Sequence, residues 1–190
     1  MPTDARERIL ATASSLFYRH GVRAVGIDLV IEQAGVAKAS LYRHFRTKDD
    51  LVAAFLERED EDFWGTWDAV AQAHADEPRA ELEAHLAWIG ERLARPNYRG
   101  CPQLNIAAEF AEPDHPARLV ATRHKRELRG RLRVLAERLG ADRPDALAGA
   151  LTLLVNGAFV SAGVLAADEG TPLLHAAAAA LLAVHAADCR

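Results

Sequence analysis

The segment GVAKASLYRHFRTKDDL, residues 35–51, carries four basic residues between positions 38 and 48 and no acidic residue before Asp49 and Asp50. Cations on a short helix can donate to the phosphate oxygens of a nucleic acid and, if aimed into a groove, to base edges. Leu41 and Phe45 are four apart and share one face of such a helix. Lys38, Ser40, Tyr42, Arg43 and His44 then face solvent. Lys38 and Arg43 can donate to guanine O6 and N7, whereas Ser40, Tyr42, His44 and Lys48 can reach phosphate oxygens. A charge run by itself reads as a solvated helix face. Here it follows a turn at Gly35 flanked by the small apolar Ala34 and Val36, which makes a helix-turn-helix pattern. Asp49 and Asp50 have a different task. Thr47-Lys48-Asp49-Asp50 has the form of a capping box, with carboxylates in a first turn where the helix dipole favours them.

The elements that position this segment are helical. Ile9, Ala13, Leu16 and Phe17 recur on one face of a first helix that starts near Thr3 or Asp4 and stops at Gly21. A second helix covers residues 27–34, a third 38–45, and a fourth begins after Thr47. Proline punctuates the rest. Pro78 opens a helix that Arg95-Pro96 stops, and Pro102 opens a short one to about Phe110. Pro113 and Pro116 precede an Arg-rich helix ending at Gly140. Asp142-Arg143-Pro144 starts another, closed by Gly170, and Thr171-Pro172 caps the last. The expectation is an all-α chain of about nine helices: an N-terminal three-helix, helix-turn-helix domain over residues 1–48 and a larger helical bundle over 49–190.

Composition narrows the function classes. Half of the residues are hydrophobic and 26% are charged, as in ordinary globular proteins. The net charge is −4, so the whole molecule is no general binder of polyanions. Residues 1–50 nevertheless carry eight Lys/Arg against six Asp/Glu. The most apolar stretch, 147–167, is interrupted by Thr152, Asn156, Ser161 and three glycines, which argues against a spanning helix. The N-terminus has no apolar core of a signal peptide, and two cysteines, Cys101 and Cys189, make no disulfide framework. Both point to a cytoplasmic protein with reduced thiols.

With these residues in view, GVAKASLYRHFRTKDDLV resembles the DNA-binding signature of the TetR (tetracycline repressor-like) family of transcriptional regulators. The similar region covers about residues 5–55: the apolar first helix ending in Gly21, then AGV, LYRHF and TKDDL. The resemblance implies a ligand-responsive regulator, more often a repressor, that binds a palindromic double-stranded operator as a homodimer. It places Lys38, Ala39, Ser40, Arg43 and His44 at operator-contacting positions, and Tyr42 and Lys48 at phosphate-contacting ones. One departure is Gly26. The family offers Ser or Thr where the second helix starts, and Gly26 supplies no hydroxyl, so backbone N–H groups are expected to meet the phosphate there. The segments GCPQLNIAAEF, DHP and HKRELRGRL are also similar to some members.

The effector is not named by any motif. Phe63, Trp64, Trp67, His85, Trp88, Asn105, Glu109 and Asn156 are candidate pocket residues, since bundle pockets are apolar with few polar groups. Each also has an ordinary reading: the aromatics as core, Glu109 as the partner of an Arg or a helix terminus, Glu81 and His85 as a surface pair four apart. Leu151, Leu154, Val155, Phe159, Leu174, Leu181 and Leu182 lie on the last two helices, which are apolar on more than one face and so are expected to form a four-helix dimer interface. Cys101, His115 and His124 do not have metal-ligand spacing, no HExxH or CxxC occurs, and there is no phosphate loop or GxSxG. No metal, cofactor, membrane or enzymatic activity is expected. The competing functional reading is a constitutive helix-turn-helix regulator whose bundle binds a protein partner and no small molecule.

Overall fold

The computed structural model describes residues 4–161, 164–166 and 168–185. Among the described residues there are nine α-helices and no β-strand: α1 (Ala5–His20), α2 (Ile27–Ala34), α3 (Lys38–His44), α4 (Lys48–Ala73), α5 (Pro78–Leu93), α6 (Pro102–Glu109), α7 (Pro116–Arg138), α8 (Pro144–Val160) and α9 (Gly170–His185). No helix among them is long and apolar enough to cross a membrane. Cys101 is a buried free thiol, and Cys189 lies outside the described residues.

The chain divides into two compact units, one of Met1–Asp62 with Pro102–His124, the other of Phe63–Cys101 with Lys125–Arg190. The division falls inside α4 and inside α7, so α6 and the start of α7 belong with the helix-turn-helix. In the first unit, Ile9, Phe17, Leu41, Leu51 and Phe55 are almost wholly buried in one core. The Phe17 and Phe55 rings lie 6.1 Å apart at 57°. Local signals set the helix ends. Asp4 caps α1 by accepting from the Arg6 N–H, and Gly35 ends α2 in the left-handed region at φ 62°, where only glycine is unstrained. At the start of α4 the capping box forms: Thr47 Oγ1 accepts from the Asp50 N–H at 3.0 Å, and Asp50 Oδ2 accepts from the Thr47 N–H at 3.0 Å.

In the second unit α5 and α8 both pack against α9. A Cβ built on Gly90 would collide with the Thr171 side chain, so glycine is what lets α5 and α9 approach there. One helix differs from the sequence reading. α8 ends at Val160, not at Gly170, which is the first residue of α9. The Ser161 N–H and hydroxyl both turn back onto the Gly157 carbonyl, at 3.0 and 2.8 Å. The Ser161 carbonyl then accepts from Val164 in a turn. Glu169 takes the cap expected of Thr171: its carbonyl accepts from the Leu173 N–H and its carboxylate from the Ala166 N–H.

Candidate functional site

The exposed face of α3 is built by a register of four. Leu41 and Phe45 are 0% and 3% exposed, and the Arg6 guanidinium lies 5.4 Å from the centre of the Phe45 ring. The opposite face carries Lys38, Ala39, Tyr42 and Arg43 in the open, with Ser40 and His44 half-buried beside them. The start of α3 has no side-chain cap, so its first N–H groups remain for solvent or an anion. The same holds at Gly26, which caps α2 with its backbone in an extended conformation and no side-chain hydrogen bond.

Two of the predicted contacts have intramolecular partners that spacing did not reveal. Lys38 Nζ lies 3.1 Å from Asp28 Oδ1 in the first turn of α2, and both side chains are largely exposed. That hydrogen bond and charge hold the Lys38 pKa above its ordinary value. Lys48, half-buried, donates through Nζ to the Val22 carbonyl at 2.6 Å. The same three-residue turn is gripped from α6: Glu109 Oε1 accepts from the Val22 N–H at 3.1 Å and Oε2 from the Arg23 N–H at 3.0 Å. The Arg23 guanidinium donates in return to the Glu109 carbonyl at 2.7 and 3.1 Å. The Glu109 carboxylate is thus held by two backbone N–H groups of the turn after α1 and not by a guanidinium, which meets only its main-chain carbonyl, while Asn105 on the same helix is exposed. Nearby, the His115 ring stacks on Phe110 at 3.7 Å, and its Nδ1 accepts from the Ala117 N–H, which leaves Nε2, 3.5 Å from Asp49 Oδ2, to donate.

Residues 9–55 match the family model of bacterial regulatory proteins of the tetR family. A TetR-type transcriptional regulator of solved structure from Streptomyces avermitilis is 35% identical, with 96% of this chain and 98% of that one superposed at a TM-score of 0.83. The transcriptional repressor Rv3405c of Mycobacterium tuberculosis is 31% identical over 137 residues, 70% of each chain. The chain belongs to the TetR family. A TetR-family regulator from Streptomyces coelicolor, at 28% identity and 96% coverage of both chains, superposes with a TM-score of 0.92. The protein is therefore a helix-turn-helix transcriptional regulator and not an enzyme.

The remaining candidates of this TetR-family chain separate into groups. Phe63, Trp64, Trp67 and Trp88 form one aromatic cluster in the second unit, with Phe63 4.9 Å from both Trp64 and Trp88 and 6.2 Å from Trp67. The Phe159 ring joins them 6.5 Å from Phe63. His85 stacks on Trp67 at 3.7 Å and 18°. It is 1% exposed, and neither ring nitrogen has a hydrogen-bond partner. Burial, with lesser contributions from His74 and Arg131, lowers its pKa to about 4. The expectation of a surface Glu81–His85 pair is corrected: Glu81 is 4% exposed and is bound by Arg138, while His85 Nε2 stays 3.7 Å away. A buried carboxylate with an arginine on it needs no charged histidine. Asn156 is half-buried on α8, with an Oδ1 that has no partner.

The apolar residues of α8 and α9 divide as well. Leu151, Val155, Phe159 and Leu174 are buried within one chain, and Leu154, Leu181 and Leu182 are half-buried. The residues that face outward are Leu153, Val160, Leu173 and Val184, at 53–75% exposure. Of these four, sequence reasoning passed over Leu153 alone, and it also passed over Arg92 and Lys125. Arg92 lies over the Phe63 and Trp88 rings, at 5.9 and 5.6 Å. Its place four residues after Trp88 was the available signal. Lys125 lies 5.4 Å from the centre of the Phe159 ring, and no local pattern marked it.

Proposed function

We propose that this regulator is a ligand-responsive repressor that binds a palindromic operator as a homodimer and is released by a small-molecule effector. Residues 1–48 are assigned to DNA and residues 49–190 to effector binding and dimerisation. The observation that carries the reading is the exposed face of α3, opposite Leu41 and Phe45, where Ala39, Tyr42 and Arg43 stand open to a major groove and Lys38 is held only by an exposed ion pair with Asp28. Arg43 and Lys38 are the base readers, with Ala39 available to a thymine methyl. Tyr42, Ser40, His44 and Lys48 take phosphates, together with the uncapped start of α2 at Gly26. Such a protein works where the chromosome is, in the cytoplasm.

The dimer is assigned to α8 and α9. Leu153, Val160, Leu173 and Val184 would be an unusual set of large apolar side chains to leave in water, and a symmetric four-helix contact covers both helices at once. Leu154, Leu181 and Leu182 flank them. Release follows from differential affinity: an effector that favours one arrangement of the dimer lowers operator affinity by no more than its preference for that arrangement. α4, which runs from the capping box beside the helix-turn-helix to the aromatic cluster, and Glu109, which grips the turn between α1 and α2, are the mechanical routes.

Selection of bound sequences from random duplex DNA, with the stoichiometry of the complex, tests the reading. The expected product is a palindrome bound by two subunits, with half-site centres about 34–36 Å apart or a multiple of that. A monomer without sequence preference at physiological salt refutes it.

A further inference from the structure

Three cations lie on the aromatic cluster of the second unit: Arg131, over Trp64 at 4.4 Å, is paired with Asp68 and Glu127, whereas the other two have no carboxylate among the described residues. Arg92 lies against the Phe63 and Trp88 rings, and Lys125 against Phe159, which is itself in ring contact with Phe63. Both side chains are half-buried. Neither has a carboxylate partner among the described residues: Lys125 Nζ donates only to Cys101 Sγ at 3.5 Å, a weak acceptor, and Arg92 Nε is buried without a partner. The carboxylates close to this cluster are already claimed, Glu81 by Arg138 and Asp68 by Arg131. His85, stacked on Trp67 and kept neutral by burial, supplies two buried nitrogens without partners. Burial also holds the Lys125 pKa below its ordinary value, the sign of a charge short of compensation.

We infer that the effector is an aromatic carboxylate, whose ring lies among Phe63, Trp88 and Phe159 and whose carboxylate is taken by Arg92 and Lys125. The inference rests on the ligand-responsive reading above and names the chemical class that this site accepts. The physics is selective. A carboxylate neutralises two cations that apolar surroundings leave under-solvated, and its hydrogen bonds to them are charge-assisted. A cationic ligand would meet like charge, and a neutral ester would leave both cations as they were. His85 adds a donor or acceptor for a ring hydroxyl.

The chain's three tryptophans are Trp64, Trp67 and Trp88, all in this cluster, so tryptophan emission reports on the site without a label. The full-length protein is titrated with phenylacetate, cinnamate and 2-naphthoate, each beside its methyl ester and the matching primary amine. The expected result is saturable change of emission by at least one acid at a concentration tenfold or more below its ester and amine. Arg92→Gln and Lys125→Met should each weaken that acid tenfold or more and leave ester binding unchanged, while Lys125→Arg retains selectivity. Circular dichroism and thermal melts of the variants separate lost binding from lost fold. Esters or amines that bind as well as the acids overturn the carboxylate class while leaving a ligand-responsive regulator. An acid that binds selectively but does not release the selected operator keeps the site and sinks release by this ligand. Absence of binding by every acid overturns the inference.

Discussion

Lys38 and Lys125 carry the same ammonium group in opposite settings. Lys38 is 62% exposed and has a carboxylate partner, Asp28, which raises its pKa. Lys125 is half-buried, leans on a phenylalanine ring, has no carboxylate partner among the described residues, and has its pKa lowered by burial. In water an ion pair is screened and contributes little, so Lys38 can trade Asp28 for a phosphate or a base at small cost. Against apolar rings an uncompensated charge is expensive, and it marks a place where an anion would be welcomed. The recognition helix thus uses charge that is easily exchanged, and the aromatic cluster uses charge that is short of a partner.

The largest expected effect probes the buried side of this comparison. Phe159 touches Phe63 and Lys125 and is 2% exposed. Phe159→Ala should destabilise the fold by about 3–5 kcal/mol in a denaturant titration, as loss of a core aromatic does. Leu153→Asp, one face away on the same helix and 75% exposed, should leave subunit stability within about 0.5 kcal/mol but convert dimers to monomers in sedimentation. If the aspartate unfolds the subunit, or leaves the dimer intact, the outward face of α8 has another task.

His85 gives the next effect. Its folded pKa of about 4 lies below the ordinary 6.5. Above pH 6.5 it is neutral in both folded and unfolded chains and its environment costs nothing. As pH falls from 6.5 towards 4 the unfolded chain takes up the proton first, so stability declines through that window, by on the order of 3 kcal/mol in total. His85→Phe should flatten that part of the stability–pH curve, measured by urea melts between pH 7 and 4. An unchanged curve would mean that His85 reaches solvent in the folded state.

The two regions also differ in how far the sequence exposed them. α1 to α5 follow from local signals: a run of four-spaced apolar residues, Gly21 and Gly35 at helix ends, a capping box at Thr47, and a proline at the head of α5. The exposed face of α3 needed only the Leu41/Phe45 register. Contacts between distant segments had no such trace. The Glu109 grip on Val22 and Arg23 spans 86–87 residues, and Glu81 finds Arg138 across 57. The boundary of α8 was overrun because Ser161 and the residues after it remain apolar enough to continue a helix, whereas the Ser161 hydroxyl and the Glu169 cap, both short-range hydrogen bonds, favour a turn. The sequence also marked α8 and α9 as apolar on more than one face, but not which face of each is covered by its own chain.

On the exposed side, Arg43→Ala should change the base preference of the operator and cost about 1–3 kcal/mol on the preferred sequence, since a bidentate guanine contact is lost. Tyr42→Ala should weaken all sequences alike. Lys48→Ala should do the same, with a shallower salt dependence, and should also loosen the turn after α1, because Lys48 holds the Val22 carbonyl. A base-by-base operator scan separates the two behaviours; equal profiles would show that α3 does not divide base and phosphate contacts in this way.

The smallest effect is the sharpest test of the exchange at Lys38. Asp28 places a carboxylate 3.1 Å from a cation assigned to DNA, and its own side chain is 85% exposed. When a duplex arrives, Lys38 must leave Asp28, and the carboxylate then faces the phosphates alone. Asp28→Asn removes both the competing partner and the repulsion while keeping a side chain of the same shape in the first turn of α2. Operator affinity should rise only slightly, as the loss of an exposed pair allows, and non-specific affinity should rise with it. Both gains should shrink as salt is raised, because exposed charges are screened within roughly 10 Å at 0.1 M. The pairing also predicts that the gain depends on the lysine: in a Lys38→Met background Asp28→Asn should retain only the part due to relieved repulsion. If Asp28→Asn weakens the operator instead, Asp28 is holding Lys38 in its reading position, and the pair belongs to the bound state as well as the free one.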